Sequence, residues 1–371
     1  MKVKLEEVCE RGSSNLKQSD IVHKSGQYPI YGASGCIGHV DFYHQEKKYV
    51  AVVKDGAGIG RTMLLPAKSS IIGTMQYLLP KKNVLPEYLY YVVRHMHLEK
   101  YFSGATIPHI YFRDYKNEEF NLDCLEKQTD IVETLGKVEK IIASRQQQLQ
   151  KLDELVKARF VEMFGDPVKN PNEYYVATLQ ELIDKGFITY HLDGNHGGDY
   201  PRSEEFVDSG VPYISANCIV NGEIDFAKAK FLTSERAAKL RKGIAQNEDV
   251  LFAHNATVGP TVVLHTDEEK VILGTSLTAY RCNKEKIMPN YLKVYMLSDG
   301  FVCQYSGDMK QTTRNQVPIT VQKKYLFLIP PIEEQKQFAD SVAQLDKSKF
   351  VEIIELLNLL IYTITKEVSP W

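Results

Sequence analysis

Alternating apolar and polar positions divide the chain into short strand-like runs and long stretches with a helical repeat. Tyr49 to Val53 and Val250 to Ala253 are short apolar runs near turn residues, a pattern typical of buried strands. Between residues 131 and 163, apolar side chains instead recur in alternating steps of four and three. This spacing predicts a coiled-coil helix, and about 40 residues of helix would extend roughly 60 Å. The predicted seam is formed by Ile131, Leu135, Val138, Ile142, Arg145, Leu149, Leu152, Val156, Arg159 and Met163.

Local signals predict where the long helices begin and end. Asp123 stands at the N-cap position of a capping box, and Gly165 with Pro167 predicts a left-handed stop. A second helix is predicted to begin after Pro330-Pro331, with acidic residues in its first turn. We expect the two helices to pack against each other in antiparallel orientation. The alternative is that each helix docks on its own module or mediates a homodimer.

Motifs in the first half of the chain recur in the same order in the second half. Gly60 matches Gly259 and Gln128 matches Gln335, so the offset changes only from 199 to 207 residues. The matched segments are Lys54–Gly60 with Ala253–Gly259, Ile71–Thr74 with Ile272–Thr275, Pro86–Leu89 with Pro289–Leu292, Tyr101–Gly104 with Gln304–Gly307, and Leu125–Gln128 with Ile332–Gln335. Two copies of this length indicate a duplicated module, because solenoids repeat shorter units several times.

The duplication and the helical stretches together predict the fold class. We expect an α+β protein with two mixed α/β modules separated by two long antiparallel coiled-coil helices, in a cyclic pseudo-two-fold repeat. The predicted boundaries are 1–124 and 173–331 for the modules, and 125–172 and 332–371 for the helices. The scaffold residues of the copies match, whereas polar residues differ, with Asp55 set opposite His254. This pattern favours two recognition modules for two different ligands.

Composition narrows the class of protein. The 371 residues are 43% hydrophobic and 25% charged, typical of an ordinary multidomain protein. A net charge of −2 argues against binding nucleic acid by bulk charge alone, so any DNA binding needs local patches and contacts from partners. No run reaches the length of a membrane span, and the six cysteines are scattered without metal-binding spacing. We therefore expect a cytoplasmic protein without a membrane segment.

Motifs typical of several enzyme classes are missing from the sequence. It contains no P-loop, no Gly-x-Ser-x-Gly elbow, no His-Glu-x-x-His zinc motif and no Asn/Asp-Pro-Pro-aromatic tetrapeptide of amino-methyltransferases. Gly56–Gly60 lacks dinucleotide-binding spacing and is better explained as a turn between strands. The histidine pairs His95/His97 and His191/His196 are weak metal candidates. We therefore expect no catalytic residues, bound cofactor or metal in this chain.

The ordered set of repeated motifs resembles the specificity subunits of type I restriction-modification systems, over essentially the whole chain. The segments that carry this resemblance are Tyr28–Gly35, Gly210–Ser215, the turns Gly56–Gly60 and Thr257–Gly259, Leu125–Gln128, and Ile329–Gln335. Each motif is weak alone, but their order and duplication are fairly specific.

The resemblance implies that residues 1–124 and 173–331 are target recognition domains, each recognising one half of a bipartite site in double-stranded DNA. It also implies that the helices set the spacer between the half-sites and dock modification subunits, which use S-adenosylmethionine. Restriction subunits would add ATP- and Mg-dependent translocation and cleavage. A non-DNA coiled-coil scaffold with two ligand-binding modules stays open as the alternative.

Polar and basic loop residues are the predicted DNA contacts. Among them, Lys310, Gln311 and Arg314 form a cluster of hydrogen-bond donors suited to phosphate or base edges. The complete set is Lys24, Ser34, Lys54, Arg61, His109 and Arg113 in the first module, and Tyr213, Asn217, His254, Asn255, Lys310, Gln311 and Arg314 in the second.

Overall fold

The computed structural model describes residues 1–345 except 23, 57, 104–107 and 310–314. The described chain divides into two compact units, unit 1 covering residues 1–144 and unit 2 beginning at Arg145. The predicted continuation of the second helix, 346–371, lies outside the described residues.

Unit 1 is a mixed fold in which helices pack on small β-sheets. Its elements are β1 (Lys2–Lys4), α1 (Leu5–Val8), β2 (Cys9–Ser13), β3 (Tyr28–Gly32), β4 (Gly35–Val40), β5 (Tyr49–Val53), β6 (Thr62–Leu65), β7 (Ser70–Ile71), β8 (Met75–Pro80), α2 (Pro86–His95), α3 (Phe112–Tyr115), β9 (Glu119–Asn121) and α4 (Leu125–Phe164), which continues into unit 2. One sheet has the order β2-β8-β5-β6, and a second has the order β4-β3-β7 with β3 and β7 parallel.

Strand β5 is buried on both faces, which explains why apolar and polar residues do not alternate along it. Val50 and Val52 face the core formed with α1 and α2, whereas Tyr49, Ala51 and Val53 face a second cluster around Ile71. A strand covered on both sides needs apolar residues at every position.

Unit 2 repeats this plan with additional strands. Its elements are β10 (Tyr175–Thr178), α5 (Leu179–Asp184), β11 (Ile188–Asp193), β12 (Phe206–Val207), β13 (Val211–Ile214), β14 (Ile219–Val220), β15 (Glu223–Ile224), β16 (Lys230–Leu232), α6 (Ser234–Ala238), β17 (Ile244–Ala245), β18 (Val250–Asn255), β19 (Thr257–Val263), β20 (Val271–Leu273), β21 (Leu277–Cys282), α7 (Pro289–Met296), α8 (Asp299–Met309), α9 (Ile319–Gln322), β22 (Leu326–Ile329) and α10 (332–345).

Strand order confirms the duplication. The sheet β11-β21-β18-β19 in unit 2 matches β2-β8-β5-β6 in unit 1, and the parallel pair β13–β20 matches β3–β7. In both units the first strand of the module pairs antiparallel with the strand just before the long helix, β1 with β9 and β10 with β22. The predicted mixed α/β fold with an internal repeat is therefore confirmed.

The first long helix is also confirmed, with a small correction at its start. α4 is 40 residues long, and Gly165 follows it with a φ of +76°, as the stop signal predicts. The helix begins one residue later than a cap at Asp123 requires, and the Asp123 carboxylate instead pairs with Lys127 at 3.0 Å. Every predicted seam position is partly or fully buried.

The end of α4 contacts the start of α10 within unit 2. The ring centroids of Phe160 and Phe164 lie 5.6 and 5.4 Å from that of Phe338. α10 begins at residue 332, directly after Pro330-Pro331 as predicted. A contact between the last turns of one helix and the first turns of the next is expected at one end of an antiparallel pair.

A buried glutamine joins each long helix to its module. Gln128 Oε1 accepts from the Leu85 N–H at 2.9 Å, and Gln335 Oε1 accepts from the Met288 N–H at 3.0 Å. Leu85 and Met288 are the N-cap residues of α2 and α7. The repeated glutamines of the sequence thus make the same bond in both units. In the part of the chain that the structure describes, no helix is long and apolar enough to cross a bilayer.

Candidate nucleic-acid interface

Three connections of unit 1 meet at one edge, which we call the loop edge: the β3–β4 turn, the β5–β6 loop, and residues 108–111 before α3. The Arg61 Nη1 donates to the Ala33 carbonyl at 2.8 Å, which joins the first two connections. The Gly56 N–H donates to the Pro108 carbonyl at 3.0 Å, which joins the second to the third. The predicted contacts Ser34, Lys54, Arg61 and His109 all lie on these connections.

Asp55, His109 and Lys54 meet at the centre of this loop edge. His109 Nδ1 lies 2.7 Å from Asp55 Oδ1, and the Lys54 ammonium lies 3.4 Å from Asp55 Oδ2. The side chains of His109 and Asp55 are 36% and 28% exposed, so both reach solvent. Because the carboxylate holds one ring nitrogen of His109, the other nitrogen is left to meet a ligand.

Aromatic and cationic side chains extend the loop edge beyond His109. The Tyr111 ring stacks near His109 with centroids 6.3 Å apart, and the Arg113 guanidinium lies 4.7 Å from the Tyr111 ring centroid. Tyr111 is 45% exposed, and Phe102, next to the short bridge from Ser103 to His109, is 56% exposed. Tyr111 and Phe102 are missing from the contacts predicted from the sequence, although aromatic and basic residues lie close together from His109 to Arg113, which signals such a surface for Tyr111.

Unit 2 has an equivalent loop edge built on the same backbone bonds. The Lys54 N–H donates to the Thr74 carbonyl at 3.0 Å, and the His254 N–H donates to the Ser276 carbonyl at 2.9 Å. The next residue forms an isolated bridge in each unit, Asp55 with His109 and Asn255 with Gln316. Asn255, and not His254, is therefore the counterpart of Asp55.

The predicted match of Asp55 with His254 is thus wrong by one residue, for a geometric reason. Val52 pairs with Thr62 across the first hairpin, whereas Phe252 pairs with Thr261 across the second. The second turn is shorter by one residue, which shifts the register between strand and turn.

The other predicted contacts of unit 2 differ widely in exposure. Asn217, next to the end of β13, is exposed, and its Oδ1 accepts from the Ser215 hydroxyl at 2.6 Å. Tyr213 and His254 are only 6% and 1% exposed, so their side chains offer almost no surface to DNA and the geometry does not favour direct contact. The predicted contacts Lys310, Gln311 and Arg314 lie outside the described residues.

The remaining predicted contact of unit 1, Lys24, lies away from the loop edge. Its ammonium is 4.9 Å from the Phe42 ring centroid, near the open end of the β3–β4 hairpin. It is therefore not brought together with Ser34 at the hairpin tip.

A buried polar cluster supports the loop edge of unit 2. The Val317 carbonyl, next to Gln316, accepts from Gln322 Nε2 at 3.1 Å and lies 3.1 Å from His254 Nδ1. His191 Nε2 lies 3.2 Å from Gln322 Oε1. Burial lowers the pKa of His191 to about 4 and also lowers the pKa of His254. Both rings are therefore neutral near pH 7, and they position the backbone without supplying positive charge.

Among the described residues, no group of three or more His, Cys, Asp or Glu side chains is arranged to hold a metal ion. Two copies of one mixed α/β module, each with a polar loop edge of different composition, define a two-module recognition protein. The family model for the type I restriction modification DNA specificity domain matches residues 1–154 and 173–359. The chain belongs to this family of type I restriction-modification specificity subunits. Its role is sequence-specific DNA binding, and specificity subunits of this family are not catalytic by themselves.

Known relatives match most of the chain. The type I restriction enzyme MjaVIII specificity subunit of Methanocaldococcus jannaschii is 23% identical over 342 residues, covering 84% of this chain and 78% of that protein. The putative MjaX specificity subunit of the same organism is 25% identical over 369 residues, covering 88% and 82%. The crystal structure of the type I S subunit from M. genitalium has a TM-score of 0.57 at 16% identity, covering 100% of this chain and 96% of that chain. The structural match supports the fold.

Proposed function

We propose that the chain selects a bipartite DNA target for a type I restriction-modification complex, with one half-site bound by each module. The observation that carries this proposal is the pair of loop edges. Their backbone bonds match, but Asp55–His109 in unit 1 is replaced by Asn255–Gln316 in unit 2. Equal scaffolds with different hydrogen-bonding groups suit two different base sequences, because base edges are distinguished by their donors and acceptors.

In this proposal residues 1–124 and 173–331 are the two target recognition domains. The segments 125–172 and 332–371 would supply the long helices whose length sets the spacer between the half-sites, α4 being the helix of the first segment. Two recognition modules on one helical element meet one face of a duplex only at a matching spacer length. The unbroken 40-residue helix α4 supports this role.

The same helices would dock the partner subunits. Modification subunits would carry S-adenosylmethionine and methylate the target, and restriction subunits would use ATP and Mg²⁺ for translocation and cleavage. With a net charge of −2, the chain depends on such partners for part of the phosphate neutralisation. The complex would act in the cytoplasm. The scaffold alternative without DNA is not favoured, because the family model matches both modules.

Mapping methylated adenines in the host genome tests this proposal. Deleting the gene is expected to remove one bipartite methylation motif, and returning the wild-type gene is expected to restore it. If no bipartite motif disappears on deletion while the modification subunits are expressed, the proposed role in modification is wrong.

A further inference from the structure

At the bridge between two loops of each module, matched backbone bonds carry side chains that differ between the units. The Ile110 N–H donates to the Lys54 carbonyl at 2.9 Å, and the Val317 N–H donates to the His254 carbonyl at 2.8 Å. On the other side of the bridge, the Gly56 and Ala256 N–H groups donate to carbonyls at 3.0 and 2.9 Å. The backbone bonds therefore fix where the bridge side chains stand, whatever their identity.

In unit 2 both bridge side chains are carboxamides. Asn255 and Gln316 are partly exposed, and neither amide makes a side-chain hydrogen bond to the described residues. Each therefore offers one donor and one acceptor group to a ligand. An Asn or Gln amide binds adenine through both N6 and N7, the contact that best distinguishes an A·T pair in the major groove.

In unit 1 the bridge pair has different chemistry. The Asp55 carboxylate is already occupied by His109 and Lys54, so the free ring nitrogen of His109 is the group that remains for a base. The ring nitrogen of His109 that does not face Asp55 makes a single hydrogen bond to a base and cannot form the paired N6 and N7 contact of an amide. Unit 1 therefore presents a different recognition group at the same backbone position.

We infer that the two bridge pairs are specificity-determining positions, with Asn255 and Gln316 selecting an A·T pair in one half-site and His109, held by Asp55, setting a different base preference in the other. This rests on the proposed function, in which both loop edges face DNA. Bases are discriminated best by rigidly held groups. Val317, beside Gln316, is held by Gln322 and His254, which supplies that rigidity.

The test exchanges the pairs between the units in the full chain, reconstituted with its modification subunits. The variants are Asp55→Asn/His109→Gln and Asn255→Asp/Gln316→His. Each complex selects sites from a randomised DNA duplex library at fixed salt, followed by sequencing. We expect each variant to change the preference at one base pair of one half-site by about tenfold or more, since a specific amide or side-chain contact is worth that much.

A control variant and the other outcomes make the result decisive. Gln45, in a bridge to Ser69 before β5 and so at the opposite end of the strand, gives the matched variant Gln45→His, which should leave both half-sites unchanged. If the wild-type complex selects no bipartite motif, the proposed function fails. If it does, but the exchanged variants keep the wild-type preference at both half-sites, with full or uniformly lowered affinity, the bridge pairs only hold the loops together and the inference is wrong. Should an exchanged variant fail to bind any DNA, the single variants Gln316→Asn and His109→Gln are tested in the same selection. An unchanged base preference at both half-sites would again show the inference to be wrong.

Discussion

Replacing Gln335 by Met tests whether the repeated glutamine stabilises unit 2. The side chain is fully buried, its Oε1 accepts from the Met288 N–H at 3.0 Å, and its Nε2 donates to the Pro330 carbonyl at 2.8 Å. Methionine has a similar volume, so the main effect is to leave two backbone groups without partners. Each such group costs about 1–3 kcal/mol. We expect a loss of about 2–6 kcal/mol, a large part of the roughly 5–15 kcal/mol that stabilises a domain.

Hydrogen exchange measured by mass spectrometry separates this effect from unfolding of the other unit. Peptides from β18 and β21 should exchange faster in Gln335→Met, whereas peptides from β5 and β8 should not. Gln128→Met should give the reverse pattern, because its three hydrogen bonds lie in unit 1. Gln147→Met on the exposed face of α4 is the control. A Gln335 variant within about 0.5 kcal/mol of this control would refute the reasoning.

Three further changes follow from buried or exposed charges. Because the folded pKa of His191 is about 4, unit 2 should lose stability as pH falls from 6.5 to about 4, by up to about 3 kcal/mol. Acid denaturation of His191→Gln should show a smaller loss than the wild type, whereas the exposed control His265→Gln should show the wild-type loss. Arg281→Met leaves the Asp249 carboxylate, 1% exposed, without its ion pair, and denaturant unfolding should show a loss of about 3–5 kcal/mol in unit 2. Arg113→Ala removes a guanidinium that is 77% exposed; as a phosphate contact it should weaken binding equally for all sequences and lower the salt-dependence slope by about 1, and an unchanged slope would remove Arg113 from the interface.

The fold was largely predictable because hydrophobic period and motif order are local properties of the sequence. The stop at Gly165 and the seam of α4 follow directly from residue spacing. The role of Gln128 does not follow from residue spacing, although the sequence shows the same residue again at Gln335. Its partner Leu85 is distant in the chain, and only the folded backbone brings the two together.

The candidate site was predictable in part, and His254 shows why. It lies on β18 with Val250 and Phe252, and alternate residues of a strand share a face. Because Val250 and Phe252 belong to the core, His254 is buried with them. Residue type alone suggested a contact, whereas β18 is buried on both faces through His254, and Asn255 at its end is the first partly exposed residue.

The proposed recognition groups and the bonds that join each long helix to its module involve different side chains, which bears on how the two modules differ. The two bridges are closed by backbone N–H and C=O groups, so a change of side chain at Asp55 or Asn255 removes none of those backbone bonds. The bonds that stabilise each module involve Gln128 and Gln335, which are the same residue type in both copies. Because the two sets do not overlap, bridge residues can be exchanged at little cost in folding. A duplicated module with this division can thus bind two unlike half-sites while keeping one fold.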